Sequence, residues 1–408
     1  MPFIARQPIL GRNRGIFAYE LLFRSGIENF CEGADLDHAS ASMLDTTFMF
    51  GLQKLTGGRR AFVNCPRDFL LNDYISLFPS DQVVVELLET IEPDEDVVKA
   101  CRRLKKEGYL LALDDFVETP GWAPLVALAD FIKVDLRVAT RAEQRSLAAR
   151  YSAKGIRMLA EKVETPEEYS RAMNMGYSLF QGYFFCRPEI LHRRAIPASK
   201  LAYLDLLQSV TAREFDMKVI ASKIKHEASL TFKLLRYLNS AAFGLRAEIQ
   251  SIPHALNLLG ERELLKWIAI VAVGVLADGK PDELMTVPLV RGRFCELLAP
   301  RAAMADHSSD LFLLGLLSVM DAILDQPLAV ILGELPVRQE VKDALQRRSG
   351  VYREILDVAI ALEGADWEKV SALASSLGIL EEEIPALHAS AVDWSTALRR
   401  GVQSAGGV

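Results

Sequence analysis

Two adjacent carboxylates, Asp114 and Asp115, close the apolar run Tyr109-Leu110-Leu111-Ala112-Leu113. A short apolar run without a helical stripe predicts a buried parallel strand. Like charges about 4 Å apart repel by roughly 4 kcal/mol at an effective dielectric near 20. Such a pair calls for a cation, and bridging carboxylates can hold two divalent ions. Read alone, the pair is equally compatible with two solvated aspartates at the start of a loop.

The neighbouring apolar runs decide between these readings. Ile16 to Phe23 carries Glu20 and is followed by Arg24, and Ala61 to Cys65 carries Asn64. Gln82 to Leu88 carries Glu86, Phe131 to Leu136 carries Lys133, Ile156 to Lys162 carries Glu161, and Tyr177 to Tyr183 carries Gln181. Solvation explains one polar residue at a strand end but not a series of seven strands that each bring one. Glu20, Glu86, Asp114, Asp115 and Glu161 are hard oxygen donors, and Asn64 adds a neutral carbonyl. The set contains no histidine or cysteine, which argues against zinc or copper and for two Mg²⁺ or Mn²⁺ ions. Two such ions suit in-line hydrolysis of a phosphodiester. Lys133 can position the attacking water or take up developing negative charge, and Arg24 can hold a phosphate with its planar fork.

These residues need a scaffold that brings strand ends together. Phe3 to Leu10 is expected to lead as a strand, with Gly11 to Gly15 as its turn. Helices are expected over Ala39 to Leu55, Glu92 to Glu107, Arg141 to Lys154 and Pro166 to Asn174, between the strands named above. Repeated strand-helix-strand units imply a parallel sheet. Their number over about 190 residues favours a (β/α) barrel of the TIM type, where chemistry gathers at the C-terminal ends of the strands. Neither a G-x-G-x-x-G nor a P-loop is present to favour a doubly wound nucleotide fold.

From about residue 198 the period becomes helical. Leu201 to Ala212, Met217 to Glu227, Leu230 to Asn239, Ile252 to Leu259, Glu263 to Ala277 and Asp310 to Leu324 carry apolar stripes. Val337 to Arg347, Tyr352 to Glu363, Trp367 to Leu377 and Ile384 to Val402 follow. The fold class is therefore α/β plus all-α, with a barrel domain over 1–197 and an all-α domain over 198–408. His226, His254 and His307 lack ligand spacing and are read as solvated or core side chains.

Bulk properties narrow the function. The net charge of −7 leaves no basic footprint for DNA or RNA. Five cysteines without paired spacing fit buried thiols in a reducing cytoplasm. The N-terminal residues lack the apolar stretch of a signal peptide. The most apolar run, Leu264 to Ala277, is too short to span a bilayer and contains Lys266. A cytoplasmic protein without membrane contact is expected.

In this order, the motifs of the first half resemble those of the EAL-domain phosphodiesterases, which hydrolyse cyclic di-GMP to linear pGpG. The resemblance rests on Glu20-Leu21-Leu22 with Arg24, on Asn64, on Val85-Glu86-Leu87-Leu88-Glu89 and on Asp114-Asp115-Phe116. It continues through Lys133-Val134-Asp135, Ala160-Glu161-Lys162-Val163-Glu164 and Gln181-Gly182-Tyr183. It implies metal ligation by Glu20, Asn64, Glu86, Asp114 and Asp115. It further implies catalytic roles for Lys133, Glu161, Asp115 and Gln181, substrate contacts from Arg24 and Gln181, and a loop-supporting role for Glu89. Leu21 stands for the family's alanine and Lys162 for a glycine. The family's Gly-Thr-Gly loop, which couples metal binding to dimerisation, is replaced by Val117-Glu118-Thr119-Pro120-Gly121. The ligands survive this change, but the loop loses access to positive φ.

The stretch Leu234 to Gly244, with Ile252 to Gly260, resembles the HDOD domain, a relative of HD phosphohydrolases without their His-Asp metal pair. Ser318 and Val319 stand where that pair is expected. This resemblance implies a bacterial signalling output module that binds a protein partner. The leading reading is a cyclic di-GMP phosphodiesterase with a helical output module, and a homodimer is compatible with it. The alternative is a catalytically inactive receptor or scaffold, favoured by the altered loop. A purely structural protein must explain why eight polar residues persist at strand ends without a ligand.

Overall fold

A computed structural model describes residues 3–24, 52–119, 121–186, 198–211, 220, 223–224, 249 and 260–403. Apart from residues 363–365, the chain divides into two compact units between Arg187 and Pro188. The first is a closed barrel of eight strands in sequence order. These are β1 (Phe3–Gly11), β2 (Ile16–Arg24), β3 (Arg60–Cys65), β4 (Val83–Leu87), β5 (Leu110–Leu113), β6 (Phe131–Asp135), β7 (Arg157–Glu161) and β8 (Leu179–Gln181).

One strand departs from the all-parallel expectation. β1 runs antiparallel to both β2 and β8, because the five-residue turn Gly11–Gly15 returns the chain as a hairpin. The other pairings are parallel.

The helices around the barrel start where local chemistry dictates. Glu95–Lys106 begins at Asp94, whose side chain accepts from the Val97 amide at 2.9 Å. Pro93, expected inside this helix, precedes its cap. Arg141–Ser152 and Pro166–Met175 both open with capping boxes, Thr140/Glu143 and Thr165/Glu168. Of the expected helix Ala39 to Leu55, only Leu52–Thr56 lies within the described residues. Arg67–Leu71 and Ala123–Val126 are short helices that apolar periodicity does not reveal.

Inside the barrel, Ile9, Ala18, Phe62, Val84, Ala112, Phe131, Leu159 and Leu179 form one buried layer, one residue from each strand. Phe62 and Phe131 meet edge to face at 5.2 Å, and Arg157 covers Phe17 at 4.2 Å. This apolar floor closes one end. In a strand, the next inward residue is two positions on. That parity places the polar residues at the other end.

The second unit is helical throughout its described residues. Ala198–Thr211, Glu261–Leu276, Gln339–Gln346, Val351–Glu363, Trp367–Leu377 and Ile384–Gln403 fall where apolar stripes predict them. The expected helices over 230–239 and 252–259 lie outside the described residues, as does most of the HDOD-like stretch; of the one over 217–227 only residues 220, 223 and 224 are described, and all three are helical. Two corrections follow from the packing. The expected helix Asp310 to Leu324 is two, Ser308–Leu317 and Met320–Leu324, broken at Val319 with φ −127°. Glu283–Leu298 is a helix despite Pro288 in its interior. An interior proline costs about 3 kcal/mol. Burial of Leu284, Val287, Leu289, Val290, Phe294 and Leu298 offsets this, at about 1.5–3 kcal/mol for each fully buried apolar side chain.

Candidate metal centre at the barrel mouth

Stepping two residues along each strand from the apolar floor generates the site. Ala18 leads to Glu20, Phe62 to Asn64, Val84 to Glu86, Ala112 to Asp114, Phe131 to Lys133, Leu159 to Glu161 and Leu179 to Gln181. Because β1 is antiparallel, its member lies two residues before Ile9, at Gln7, which pairs with Glu20 across the sheet. All eight strands therefore contribute to one polar layer. Glu20 and Lys133 sit within their strands rather than at the ends, one layer deeper than strand termini suggest.

Lys133 is the centre of this layer and is fully buried. Its Nζ lies 2.7 Å from Glu86 Oε1, 2.7 Å from Asp114 Oδ1, 3.1 Å from Glu161 Oε1 and 3.3 Å from Glu20 Oε1. One ammonium thus faces four carboxylates. Burial disfavours its charge, but Glu86, Glu20, Glu161 and Asp114 together outweigh burial and hold Lys133 protonated well above the usual lysine range.

The carboxylates show the complementary strain. Burial pushes Glu86 well above the usual carboxylate range; Lys133 opposes this, while Glu20 and Asp114 add to it. Glu161 is raised to about 8, first by burial, with Lys133 opposing and Asp114 and Glu20 reinforcing. Asp115 is raised by burial and by Asp114, with Lys162 opposing.

Several buried acceptors in the layer make no hydrogen bond: Asn64 Oδ1, both oxygens of Glu86, Glu161 Oε2 and Gln181 Oε1. Glu86 Oε1 lies close to Lys133 but is not aligned for a hydrogen bond. Such atoms are costly to bury unpaired. All are oxygens, so the partner they lack is a donor or a hard cation. This is the donor chemistry of a divalent metal, and the residues fit one.

Backbone strain brings the two aspartates to one side. Neighbouring strand residues ordinarily point to opposite faces. Asp114 N donates to Leu87 O on β4, and Phe116 N donates to Lys133 O on β6. Between them Asp115 turns into the left-handed region at φ 38°. Oxygens of Asp114, Asp115 and Glu161 then lie within 4.8 Å of one another, the only such cluster among the described residues.

The remaining predicted residues take supporting places. Gln181 Nε2 donates to Glu20 Oε2 at 2.5 Å and to Gln7 Oε1 at 2.8 Å, so it holds a carboxylate. Glu89 is exposed, and its charge helps raise Asp115. Arg24 ends β2, and its side chain lies outside the described residues. Gly182 follows Gln181 at φ 139°, where a Cβ would stand 2.1 Å from Val163 O, so only glycine fits. Gln7 was not among the sequence candidates. A hairpin first strand whose inward residue is polar is the signal that finds it.

A closed barrel with this mouth and a separate helical unit define a two-part EAL–HDOD protein. The EAL domain family model matches residues 67–188, and the HDOD domain family model matches residues 196–324. The chain is 33% identical over 401 residues to the uncharacterized protein YuxH of Bacillus subtilis, covering 96% of this chain and 97% of that one. It is 33% identical over 402 residues to the cyclic di-GMP phosphodiesterase CdgJ of Vibrio cholerae, covering 98% and 93%. The calcium and cyclic di-GMP complex of Klebsiella pneumoniae BlrP1 is 25% identical, covers 46% of this chain and 55% of that one, and gives a TM-score of 0.39. The chain belongs to the EAL–HDOD family that includes YuxH and CdgJ. Among the described residues, no helix is long and apolar enough to cross a membrane.

Proposed function

We propose that the protein hydrolyses cyclic di-GMP to linear pGpG with two divalent cations, Mg²⁺ or Mn²⁺, at the barrel mouth. The observation that carries this reading is the buried polar layer: four carboxylates around one ammonium, with oxygen acceptors left unpaired. Near-full-length similarity to CdgJ, a cyclic di-GMP phosphodiesterase, supports it.

Glu20, Asn64, Glu86 and Asp114 would hold one ion, and Asp114, Asp115 and Glu161 the other, with Asp114 shared. The ions supply Lewis acidity and neutralise phosphodiester charge. In the metal-free site Lys133 is held protonated by its four carboxylates, and it would meet the attacking water as a donor. Its role is to orient that water and to stabilise negative charge as it develops. Glu161, 3.1 Å from Lys133, would help prepare the same water. Gln181 keeps Glu20 in place, and the Arg24 fork would hold a substrate phosphate.

The helical unit is the output module in this reading and binds a protein partner, with the barrel taken as 1–197 and the output domain as 198–408. One observation favours the alternative of a catalytically silent receptor. The loop after Asp115 is tied outward: the Glu118 carboxylate pairs with Arg150 and accepts from the Tyr151 hydroxyl at 3.2 Å, while Phe116 is buried against Trp122 and Tyr151.

Incubation of the purified protein with cyclic di-GMP and Mn²⁺ or Mg²⁺, followed by separation of dinucleotides, distinguishes the two. Metal-dependent appearance of pGpG, abolished by a chelator, is expected. Tight binding with no product would establish the receptor, and neither binding nor product would overturn both readings.

A further inference from the structure

The barrel has a second end, opposite the mouth, and charge of the other sign gathers there. Arg60 and Arg157 are the first residues of β3 and β7. Each lies two positions before an inner-layer residue, Phe62 or Leu159, so strand parity turns both toward the barrel axis below the apolar floor. β3 and β7 stand on opposite sides of the eight-stranded barrel. Arg157 is exposed and Arg60 half-buried, and Arg12 in the hairpin turn and Arg59 beside Arg60 are exposed at the same end.

A β-bulge builds the seat for one of these cations. Ile9 pairs with Ala18 and Leu10 with Ile16, so Phe17 is the unpaired extra residue of β2. Bulges re-aim side chains, and the Phe17 ring meets Phe62 at 6.4 Å and Phe131 at 6.0 Å. The Arg157 guanidinium lies over Phe17 at 4.2 Å and over Phe131 at 5.3 Å. Arg60 Nε donates to the Asp81 carbonyl at 3.1 Å. Among the described residues, neither arginine has a carboxylate partner, that of Asp81 included. Neighbouring cations are matched: Lys105 lies 2.5 Å from Asp130, and Arg103 lies 2.6 Å from Asp73. Burial, and then the Arg60 charge, push the Arg157 guanidinium below the usual arginine range.

We propose that the N-terminal end of the barrel is a docking surface for a carboxylate-rich segment of a protein partner, with Arg60 and Arg157 as its two forks. Guanidinium forks match carboxylates bidentately. Their placement on opposite strands favours a ligand with successive acidic groups over a single small anion. A single-stranded nucleic acid would need an aromatic face on which to stack its bases, and Arg157 already covers that of Phe17. The surface lies at the far end of the barrel from the metal centre, so the inference stands apart from the hydrolytic reading.

Fluorescence anisotropy of a labelled polyglutamate peptide tests this on the full chain. Wild type should bind it with an affinity that falls as salt rises, and should not bind polyglutamine. Arg60→Gln and Arg157→Gln together should weaken binding by about tenfold or more. Arg60→Lys and Arg157→Lys together should weaken it several-fold, because the charge is kept but the fork is lost. Arg102→Gln removes an exposed cation from helix Glu95–Lys106 and should change nothing. Arg157→Gln also uncovers Phe17, so Arg60→Gln alone, with circular dichroism unchanged, should still cost a few-fold. No peptide binding by wild type, or equal affinity in wild type and the double Gln variant, would overturn the inference. Equal affinity in the double Lys variant would overturn it too, since diffuse attraction would then suffice. Tighter binding of oligothymidylate than of polyglutamate would overturn the choice of partner.

Discussion

The two units bury charge in opposite ways. In the barrel, Lys133 stands alone among Glu20, Glu86, Asp114 and Glu161, and acceptors of the same layer remain unpaired. In the helical unit, buried cations are matched. Arg291 is 5% exposed and donates to Ser318 Oγ at 3.1 Å, and it opposes the burial that raises the Asp321 carboxyl. Lys266 lies 2.9 Å from Glu263 and 2.7 Å from Glu296. Arg291 reaches Ser318 because two helices cross closely: a Cβ on Gly315 would stand 2.4 Å from the Arg291 carbonyl carbon. Matched charge holds a fold together, whereas an excess of one sign over a buried surface marks a place built for a ligand.

The sharpest way to break this comparison is to remove each unit's buried cation. Lys133→Met should lower cyclic di-GMP hydrolysis by about 10²–10⁴-fold. It should also lower the melting temperature of the metal-free protein, and Mn²⁺ should restore much of that loss. Arg291→Met should cost about 1.5–3 kcal/mol in stability. Mn²⁺ should not relieve it, and kcat per folded molecule should stay within a few-fold. Thermal melts with and without Mn²⁺ check both variants, and rescue of Arg291→Met by metal would erase the distinction.

A smaller effect comes from pH. The Glu161 carboxyl is raised from its ordinary 4.5 to about 8, so the folded metal-free protein favours its protonated form. A raised carboxyl contributes stability that is complete below the unfolded value and is lost as pH rises through the folded one. The metal-free melting temperature should therefore fall between about pH 4.5 and about pH 8. Glu161→Gln should flatten that fall, and melts of both proteins across the interval are the check.

The smallest expected effect lies in the loop beyond Asp115. Val117 is 66% exposed, and its carbonyl accepts from the Thr119 hydroxyl at 3.1 Å. Val117→Gly, Thr119→Gly should raise turnover, because misplacement by about 1 Å can cost roughly a hundredfold in such a site and glycine restores access to φ > 0. A several-fold gain in kcat is the expected reading. An unchanged kcat with the fold intact would show that the loop does not limit the reaction.

The site was legible because strand parity is legible. Polar residues at the ends of valine- and leucine-rich runs have one inward direction, and seven of the eight members follow from it. Gln7 was not found, because its strand runs against the others and its inward residue precedes the core residue. Helix Glu283–Leu298 was hidden by Pro288, whose local cost is overridden by burial that no local pattern displays. The break at Val319 was hidden for the converse reason, since neither glycine nor proline marks it. The outward tether of Glu118 depends on Arg150 and Tyr151, more than thirty residues away, and only the folded chain brings them together.

The claim that the barrel's uncompensated charge is a metal centre meets its most direct test in calorimetric titration of Mn²⁺ into wild type and Asp114→Asn. Asp114 is the residue assigned to both ions, and its substitution leaves Lys133 and the apolar floor in place. Wild type should bind two ions, and the variant should lose at least one site. Superimposable isotherms for the two proteins would contradict the account.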